Sequence, residues 1–403
     1  MIYNLNVGDN MSKVVVIGGG ASGVIAAIKA SNNNDVTILE GNDKLLKKLL
    51  LTGNGKCNYW NESIDETKYC TDDKTKLNQI LKYKDETLNF LYKLGLYPKI
   101  KNGYYYPYSE SSNSVREILI KQLKKSKVKI ITDFKVDDIK YTNEFIIKSK
   151  EKIIKCDKLI IATGSKSYPK TGSDGSGYNL ATSFNHTINE IKPSLVPLKL
   201  EGNYLKDWDG IRTLAHVKLI NDNKIIKEET GEIQLTNYGV SGICIFNLSG
   251  KLKNKSSLEI DFLPNINNLY NFLTDRDKEI GGTVEDILES IFNYKLMFVL
   301  LKKSGIKTNT KWNELKETEK HKLCETIKNF SANIIGTLDF DRAQTCSGGI
   351  PLNEINETMQ SKYNKNLYFT GEIIDVNGDC GGYNLAFSFI TGYICGRNLN
   401  DSN

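Results

Sequence analysis

The chain has 403 residues, of which 39% are apolar and 25% are charged. This length predicts two or three domains, and this composition is that of a globular protein rather than a disordered one. The 54 basic and 48 acidic residues leave a net charge of +6 that is spread over the whole chain. Nucleic acids and membrane surfaces both require clustered positive charge, so we expect neither as a partner.

Targeting signals and thiol content favour a cytoplasmic protein. Residues 1–10 contain no basic residue and no apolar stretch, so we expect no signal peptide, and the apolar stretch 14–28 is too short to cross a bilayer. The eight cysteines include no Cys-x-x-Cys pair and there are only three histidines, so we expect no metal site. Without an export signal, the thiols are expected to be reduced.

The first structural signal is a strand–loop–helix–strand unit. Residues 13–17 (KVVVI) have the pattern of a strand buried on both faces, 21–30 that of a helix, and 35–39 (DVTIL) that of a second strand. The connecting loop, GGGASG at 18–23, has the G-x-G-x-x-G spacing. The unit therefore predicts a Rossmann-like βαβ fold that binds a dinucleotide.

Each part of this motif has a physical role. Gly18 permits a tight turn, Gly20 lets the backbone approach a pyrophosphate, and Gly23 lets the helix pack closely on the strand. The helix N-terminus offers N–H groups and a partial positive charge to the phosphates. Glu40, at the end of the second strand, is predicted to accept hydrogen bonds from the adenosine ribose. The cofactor-binding residues predicted in this motif are Gly18, Gly20, Ala21, Ser22 and Gly23.

A second glycine-rich segment follows at 52–58 (TGNGKCN), after a basic stretch at 44–51 that we interpret as helical. Its glycines suit backbone contact with a ligand. Three lysines could neutralise a phosphate, although a solvated surface charge is the commoner role of any one of them: Lys47, Lys48 and Lys56. The cofactor contacts predicted from this part of the chain are Lys48, Gly53, Gly55, Cys57 and Asn58.

The chain then changes from helical to extended patterns. Residues 75–95 and 113–125 have helical apolar spacing, and the alternation at 128–155 predicts a β-meander. The apolar strand 158–164 closes in three small residues that let the chain turn beside a nucleotide, predicted as the contacts Ala162, Thr163 and Gly164. The glycine-rich loop 165–178 leads into a helix that reaches about 184, and it is not a second Rossmann loop because no strand enters its glycines.

The pattern changes again between 193 and 341. Strands are predicted at 212–220, 224–227 and 232–236. We interpret this region as an inserted substrate-side domain that closes over the cofactor, since pockets often form at domain interfaces. Its β part covers about 193–265 and 332–341, and its helical part covers about 266–331. The nucleotide-binding domain is then 1–192 plus 342–403.

The C-terminal part predicts a strand at 366–371, a loop, and a helix that Gly381 and Gly382 open and that runs to about 396. Glycines at the start of this helix would let N–H groups reach a ligand, and the alternative is that they only form a turn. The cofactor contacts predicted here are Gly371, Glu372, Asp375, Gly381, Gly382, Tyr383 and Asn384.

The chain resembles the HI0933-like flavoprotein family, whose members are described as NAD(P)/FAD-dependent oxidoreductases, aminoacetone-oxidase-like enzymes or 3-dehydro-bile-acid reductases. The segments that carry the resemblance span both ends and the middle of the chain: VVVIGGGASG (14–23), LLLTGNGKCN (49–58), IIATGSKSYPKTGSDGSGY (160–178), PSLVPL (193–198), GEIQLTNYGVSG (231–242), AQTCSGGI (343–350) and LYFTGEIIDVNGDCGGYNLAFSFITG (367–392). The chain departs from the family where Lys47 and Lys56 replace arginines, which keeps charge but loses the bidentate fork.

The resemblance implies an α/β fold in which a Rossmann-like FAD-binding domain carries an inserted antiparallel β domain and a helical subdomain. It also implies that the last helix points its N-terminus at the pyrimidine edge of the flavin. A helix N-terminus favours negative charge by about 0.3–2 kcal/mol, which suits a reduced, anionic flavin.

We therefore predict an FAD-dependent oxidoreductase that passes a hydride from NAD(P)H through FAD to an activated double bond of a small organic substrate. The alternatives are an oxygen-dependent amine oxidase and a non-catalytic flavin-binding module. No second Rossmann motif is present, so NADH or NADPH would dock only transiently. Tyr168 and Tyr383 are the candidate catalytic residues, with aromatic packing as their alternative role, whereas His186 and His216 are interpreted as structural.

Overall fold

The structure, a computed structural model, describes residues 11–150, 152–253 and 255–401. The expectation for residues 1–10 therefore lies outside the described residues. The chain divides into two compact units, residues up to 193 together with those from 344 onward, and residues 194–343. Within the described ranges, no helix combines the length and the apolar character needed to cross a membrane.

The strands, in chain order, are β1 (Ser12–Ile17), β2 (Asn34–Leu39), β3 (Trp60–Asn61), β4 (Tyr69–Cys70), β5 (Pro98–Lys101), β6 (Tyr104–Pro107), β7 (Lys129–Ile131), β8 (Asp138–Tyr141), β9 (Phe145–Ser149), β10 (Lys152–Cys156), β11 (Lys158–Ile161), β12 (Asn189–Ser194), β13 (Leu198–Leu200), β14 (Arg212–Asn221), β15 (Lys224–Thr236), β16 (Gly239–Ser241), β17 (Ser257–Asp261), β18 (Phe330–Thr337), β19 (Thr345–Gly349), β20 (Leu367–Phe369) and β21 (Asn377–Gly378). The α-helices are α1 (Ala21–Ala30), α2 (Lys74–Leu81), α3 (Lys84–Leu94), α4 (Ser112–Lys125), α5 (Ser176–Thr182), α6 (Ile243–Ser249), α7 (Leu269–Ile280), α8 (Val284–Leu288), α9 (Tyr294–Ser304), α10 (Glu317–Lys328) and α11 (Tyr383–Asp401).

A five-stranded parallel sheet forms the centre of the first unit, in the order β20-β11-β1-β2-β7. Residues Val14–Val16 of β1 are fully buried, as expected for a strand covered on both faces. The chain leaves β1 towards β2 on one side, and β11 lies on the other side, so the strand order reverses at β1. Ligands of open α/β sheets bind at such a reversal, beyond the carboxyl ends of the strands.

Helices α1 and α11 bring the two ends of the chain together. A Cβ placed on Gly392 would lie 2.4 Å from the carbonyl oxygen of Ser22, and one on Gly396 would lie 2.6 Å from that of Ala26. The two helix backbones are therefore in near contact, which only glycine permits at these positions.

Two details of the first unit correct the sequence predictions. Residues 44–51 do not form one helix. Residues 49–51 begin a 3-10 helix, whereas 44–48 are not helical, because Leu46 has a left-handed φ of 64° and its N–H donates to the carbonyl of Gly19 at 2.9 Å rather than to its own turn. Burial of Leu45 and Leu46 against the first glycine loop outweighs helix propensity here. Within 128–155, β7 joins the parallel sheet, and only β8–β10 form the antiparallel meander.

The second unit is a closed antiparallel barrel with helices around it. The barrel order is β13-β16-β15-β14-β17-β18. The strand predicted at 212–220 is confirmed as β14, while 224–227 and 232–236 belong to one continuous strand, β15. The helices predicted between 266 and 330 are confirmed as α7–α10. The fully buried Trp208 packs against Phe330 in the core of this unit.

Candidate functional site

The first glycine loop leaves open space at one position and none at two others. A Cβ on Gly18 would lie 2.5 Å from the carbonyl oxygen of Ala162, and one on Gly23 would lie 2.1 Å from that of Gly18. A Cβ on Gly20 would meet no described atom within 4 Å. Two glycines thus serve close packing, and Gly20 leaves room for a ligand.

The N-terminus of α1 is suited to bind an anion at that open position. No side chain caps the helix at Gly20, and its first turn contains no acidic residue. The N–H groups of the first turn have no carbonyl four residues earlier in the helix to accept them. Together with the helix dipole, they make this turn a favourable place for a pyrophosphate.

Glu40 holds the first glycine loop in shape. Its Oε2 accepts the N–H of Gly19 at 2.8 Å, and its Oε1 accepts both the backbone N–H and the side-chain amide of Asn42 at 2.8 and 2.7 Å. A carboxylate oxygen accepts more than one hydrogen bond, so Oε2 retains capacity for a ribose hydroxyl. Contact with the ribose stays a prediction, and support of the loop is a second role that the sequence did not indicate.

The second glycine loop turns through four residues with left-handed φ, namely Gly53 (56°), Asn54 (53°), Gly55 (82°) and Cys57 (58°). A Cβ on Gly53 would lie 2.7 Å from the N of Asn58, whereas one on Gly55 would meet no described atom within 4 Å. Burial raises the pKa of the Cys57 thiol to about 12, so this cysteine stays protonated at neutral pH. That state does not suit a redox thiolate.

Lys48 links the segment before the second glycine loop to the loops that follow β11 and β20. Its Nζ lies 2.5 Å from Oε2 of Glu372 and 2.5 Å from Oγ of Ser167. Ser165 also donates to Glu372 at 3.2 Å, so the ammonium and carboxylate are both satisfied within the protein. The charge of Lys48 is thus paired with the carboxylate of Glu372 rather than left free to neutralise a phosphate. The other two candidate lysines also lie near carboxylates, Lys47 at 2.8 Å from Asp43 and Lys56 at 4.0 Å from Glu110.

The loops after β11 and β20 meet the start of α1. Ser22 Oγ donates to the carbonyl of Thr370 at 3.3 Å, and a Cβ on Gly371 would lie 2.4 Å from that Oγ. The hydroxyls of Thr163 and Thr370 are buried without a hydrogen-bond partner among the described residues. Thr370 is fully buried, and a Cβ on Gly177 would lie 1.8 Å from the Thr163 hydroxyl, so protein atoms cover both hydroxyls.

Asp375 and Asn384 serve loop contacts. Asp375 accepts the N–H of Gly348 at 2.8 Å and the amide of Asn189 at 2.7 Å, and burial raises the pKa of its carboxyl. Asn384 accepts the N–H of Gly378 and donates to its carbonyl, both at 2.8 Å. Both side chains fix the loop that leads into α11.

The glycine pair before α11 is packed by protein. A Cβ on Gly381 would lie 2.7 Å from Cε1 of Tyr104, and one on Gly382, where φ is 94°, would lie 2.6 Å from the carbonyl oxygen of Trp60. The turn interpretation of these glycines thus has direct support. Their N–H groups still lie at the start of a long helix.

The two candidate catalytic tyrosines lie in different surroundings. Tyr383 is buried, makes an edge-on contact with Tyr69 at 6.0 Å between ring centroids, and has a phenol pKa raised to about 12 by burial. Tyr168 is half-buried, with an unusual φ of 52° directly before Pro169. Among the described residues, no hydrogen bond or ring contact joins these two tyrosines.

His186 is a structural residue. Its ring nitrogens lie 2.9 Å from Glu354 Oε2 and 2.7 Å from Ser361 Oγ, and all three side chains are buried. Ser361 Oγ also accepts the N–H groups of Tyr363 and Asn364, so the hydroxyl is held in a turn. Burial lowers the pKa of His186.

Sequence reasoning missed the small sheet β3-β6-β5. This sheet contacts the glycine loop at 52–58 and the glycine pair at 381–382. Asn61 Nδ2 donates to the carbonyl of Gly381 at 2.9 Å, and Tyr104 packs on the same residue. These partners are about 280–320 residues apart in the chain, and no motif marks them. The run of three tyrosines at 104–106 was the available signal, since it predicts an aromatic strand.

The comparisons with known proteins agree with this geometry. The model of the HI0933-like protein Rossmann domain matches residues 12–398. The 3-dehydro-bile acid delta(4,6)-reductase of Clostridium scindens is 39% identical, over 90% of this chain and 92% of its own length. The ribosomal RNA dihydrouridine synthase of Escherichia coli K12 is 24% identical over the same shares. A solved 3-ketosteroid-delta4-(5alpha)-dehydrogenase from Rhodococcus jostii has a TM-score of 0.51 at 14% identity, covers 97% of each chain, and shows the fold alone.

The fold and the site define an FAD-dependent oxidoreductase with a Rossmann-like cofactor domain. The chain belongs to the HI0933-like family. The open position at Gly20 and the uncapped first turn of α1 fit the pyrophosphate of FAD.

Proposed function

We propose that the enzyme transfers a hydride from NADH or NADPH, through FAD, to a carbon–carbon double bond conjugated to a carbonyl group in a small organic substrate. The observation that carries this proposal is the 39% identity, over nine-tenths of the chain, to a relative named as a delta(4,6)-reductase of 3-dehydro bile acids. We take delta(4,6) to name the double bonds that this relative reduces.

The residues of this chain would bind, orient and protonate. Bound FAD supplies the two-electron transfer. The first turn of α1 would hold the pyrophosphate, and the N-terminus of α11 would stabilise negative charge that develops beside it. Reduction of a conjugated double bond also consumes a proton at the substrate carbon next to the carbonyl. Tyr383 is a candidate donor because it lies at the start of α11 and a phenol is protonated at neutral pH.

Anaerobic stopped-flow spectroscopy of the purified yellow protein tests this function. We expect NADH or NADPH to bleach the flavin absorbance, and a conjugated ketone such as 4-androstene-3,17-dione to restore it without oxygen. Bleaching by an amine alone, with oxygen needed to restore the colour, would instead indicate the oxidase. Failure of both nicotinamides to bleach the flavin contradicts the proposal.

A further inference from the structure

Three lysines surround one glutamate at the outer edge of the small sheet β3-β6-β5. The carboxylate of Glu110 lies 2.9 Å from Nζ of Lys99, 2.6 Å from Nζ of Lys101 and 4.0 Å from Nζ of Lys56. Lys99 and Lys101 belong to β5, the outer strand of that sheet. The lysine side chains are between 37% and 55% exposed, so a ligand can reach them from solvent. We call these four residues the lysine cluster.

The lysine cluster carries an excess of positive charge. Hydrogen bonds from Lys101 and Lys99 hold the pKa of Glu110 at about 2, so this carboxylate stays ionised at neutral pH. Three ammonium groups around one carboxylate leave a net charge of +2. One glutamate therefore does not neutralise the cluster, and the excess favours binding of an anion with two negative charges.

The cluster lies beside residues that touch the loops assigned to the cofactor. In the register of β5 and β6, Lys99 lies opposite Tyr106 and Lys101 lies opposite Tyr104. Directly opposed residues of an antiparallel pair project from the same face, with Cβ atoms about 4.5–5.5 Å apart. Cε1 of Tyr106 would lie 3.6 Å from a Cβ on Gly53, and Tyr104 packs on the glycine pair before α11. The lysines thus lie one strand outward from the contacts that this sheet makes with those loops.

We propose that the lysine cluster binds the 2′-phosphate of NADPH, so that this enzyme takes its hydride from NADPH in preference to NADH. The inference rests on the proposed function, which leaves the choice between these two cofactors open. NADH and NADPH differ only in a phosphate monoester on the adenosine ribose, and such a group carries about −1.5 to −2 charges at neutral pH. The cluster supplies the matching positive charge, since lysine binds phosphate as a point charge. Part of the lysine contact with Glu110 is given up in exchange.

Two features of the chain favour this ligand over other phosphates. FAD contains no phosphate monoester, and its pyrophosphate is assigned to the first turn of α1, so FAD does not require the cluster. The sequence contains no second Rossmann motif for a nicotinamide cofactor, so NADPH must be held by another surface. An exposed cluster beside the cofactor loops suits a dinucleotide that binds, delivers its hydride and leaves.

Binding of nucleotide fragments to the oxidised holoprotein tests this inference without turnover. The probes are adenosine 2′,5′-bisphosphate and 5′-AMP, which differ only in the 2′-phosphate and contain no nicotinamide to reduce the flavin. Bound FAD fills its own adenosine site, so the probes report a second site. Titration calorimetry gives each Kd, and we expect the bisphosphate to bind about three- to thirtyfold more tightly, the range that two exposed ion pairs support. Added salt should reduce this preference, because it screens exposed charges.

Matched variants assign the preference to the cluster. The double variant Lys99→Met with Lys101→Met should abolish the preference for the bisphosphate. Glu110→Gln should strengthen it, because this change removes the competing carboxylate. Lys121→Met with Lys125→Met, an equal loss of charge at exposed positions of α4, should leave it intact. In anaerobic stopped flow, dilute NADPH should bleach the Lys99 and Lys101 double variant about three- to thirtyfold more slowly than the wild type.

The outcomes are distinguishable from failure of the proposed function. Equal affinity for the two probes, inorganic phosphate that binds as tightly as the bisphosphate, or a preference that survives the changes at Lys99 and Lys101 would each overturn the inference. None of these results bears on whether NADH bleaches the flavin and a conjugated ketone restores the colour. Conversely, a protein that prefers the bisphosphate, but that neither nicotinamide cofactor bleaches, keeps the phosphate site and loses the proposed reaction.

Discussion

The glycine loops at the starts of α1 and α11 look alike in sequence and differ in three dimensions. Gly20, in the first loop, faces open space, so its missing side chain leaves room for something other than this chain. Gly381 and Gly382, in the loop before α11, lie against Tyr104 and the backbone of Trp60. A glycine beside a ligand site can therefore make room for the ligand or for the protein, and only the packing distinguishes the two.

Two carboxylates that were predicted as cofactor contacts, Glu40 and Asp375, also bind the protein itself. Glu40 was predicted as a partner of the ribose at the end of the second strand, and Asp375 as part of the loop before the last helix. In the structure, each binds the backbone of a neighbouring loop, Glu40 that of Gly19 and Asp375 that of Gly348. Each carboxylate thus fixes the backbone of a loop.

The largest effect on folding is expected for Gly382→Ala. The new methyl group would meet the Trp60 carbonyl and force a left-handed φ on alanine, which together cost about 2–6 kcal/mol. Gly55→Ala is the matched control, since φ there is 82° but the Cβ meets no described atom within 4 Å. We expect it to cost only the strain, about 1–3 kcal/mol. Urea unfolding of both apoproteins measures the difference in the free energy of unfolding, and equal costs would contradict the packing described around Gly382.

For Gly20→Val we expect little effect on folding and a large effect on FAD binding. Gly20 has an ordinary extended conformation, so valine should change the free energy of unfolding of the apoprotein by no more than about 0.5 kcal/mol. The branched side chain would fill the open space, and we expect the Kd for FAD to rise at least about 100-fold, or ~2.7 kcal/mol. Gly20→Ala should give an intermediate loss. A stable Gly20→Val protein that purifies with stoichiometric flavin would place the pyrophosphate elsewhere.

The smallest effect concerns Asp375 and depends on pH. Burial raises the pKa of its carboxyl above the ordinary value of 3.8. As the pH falls, the folded protein therefore binds a proton at this carboxyl at a higher pH than the unfolded chain does. The carboxyl therefore contributes stability at low pH that is lost as the pH rises through the folded pKa. Relative to Asp375→Asn, the wild type should lose stability as the pH rises from about 4 towards neutrality, by at most ~1.4 kcal/mol per pH unit. A difference that stays constant over this range would show that the pKa is not raised.

Local signals predicted the cofactor domain well. The βαβ unit at 13–40 contains a buried strand, a spaced glycine motif and a helix within one short segment, so each signal supports the others, and the structure confirms β1, α1 and β2. The helix predicted at 44–51 is absent from 44–48, because Leu46 donates a hydrogen bond to Gly19, a contact that local periodicity does not contain.

Long-range packing explains what the sequence did not reveal. The pairing of β13 with β18 closes the barrel across about 140 residues of chain, and neither strand indicates its partner. Tyr104 reaches Gly381 from a hairpin without a motif. Lys99 lies opposite Tyr106, and Lys101 lies opposite Tyr104, because of the register of β5 and β6, which a single sequence does not fix.

A crystal structure of the protein with FAD tests most directly that the two ends of the chain form one cofactor site. We expect the pyrophosphate oxygens within hydrogen-bond distance of the N–H groups at 20–23, and the flavin ring of the same molecule beside 381–384. A flavin ring bound away from the start of α11, or a pyrophosphate that does not contact α1, would contradict the account.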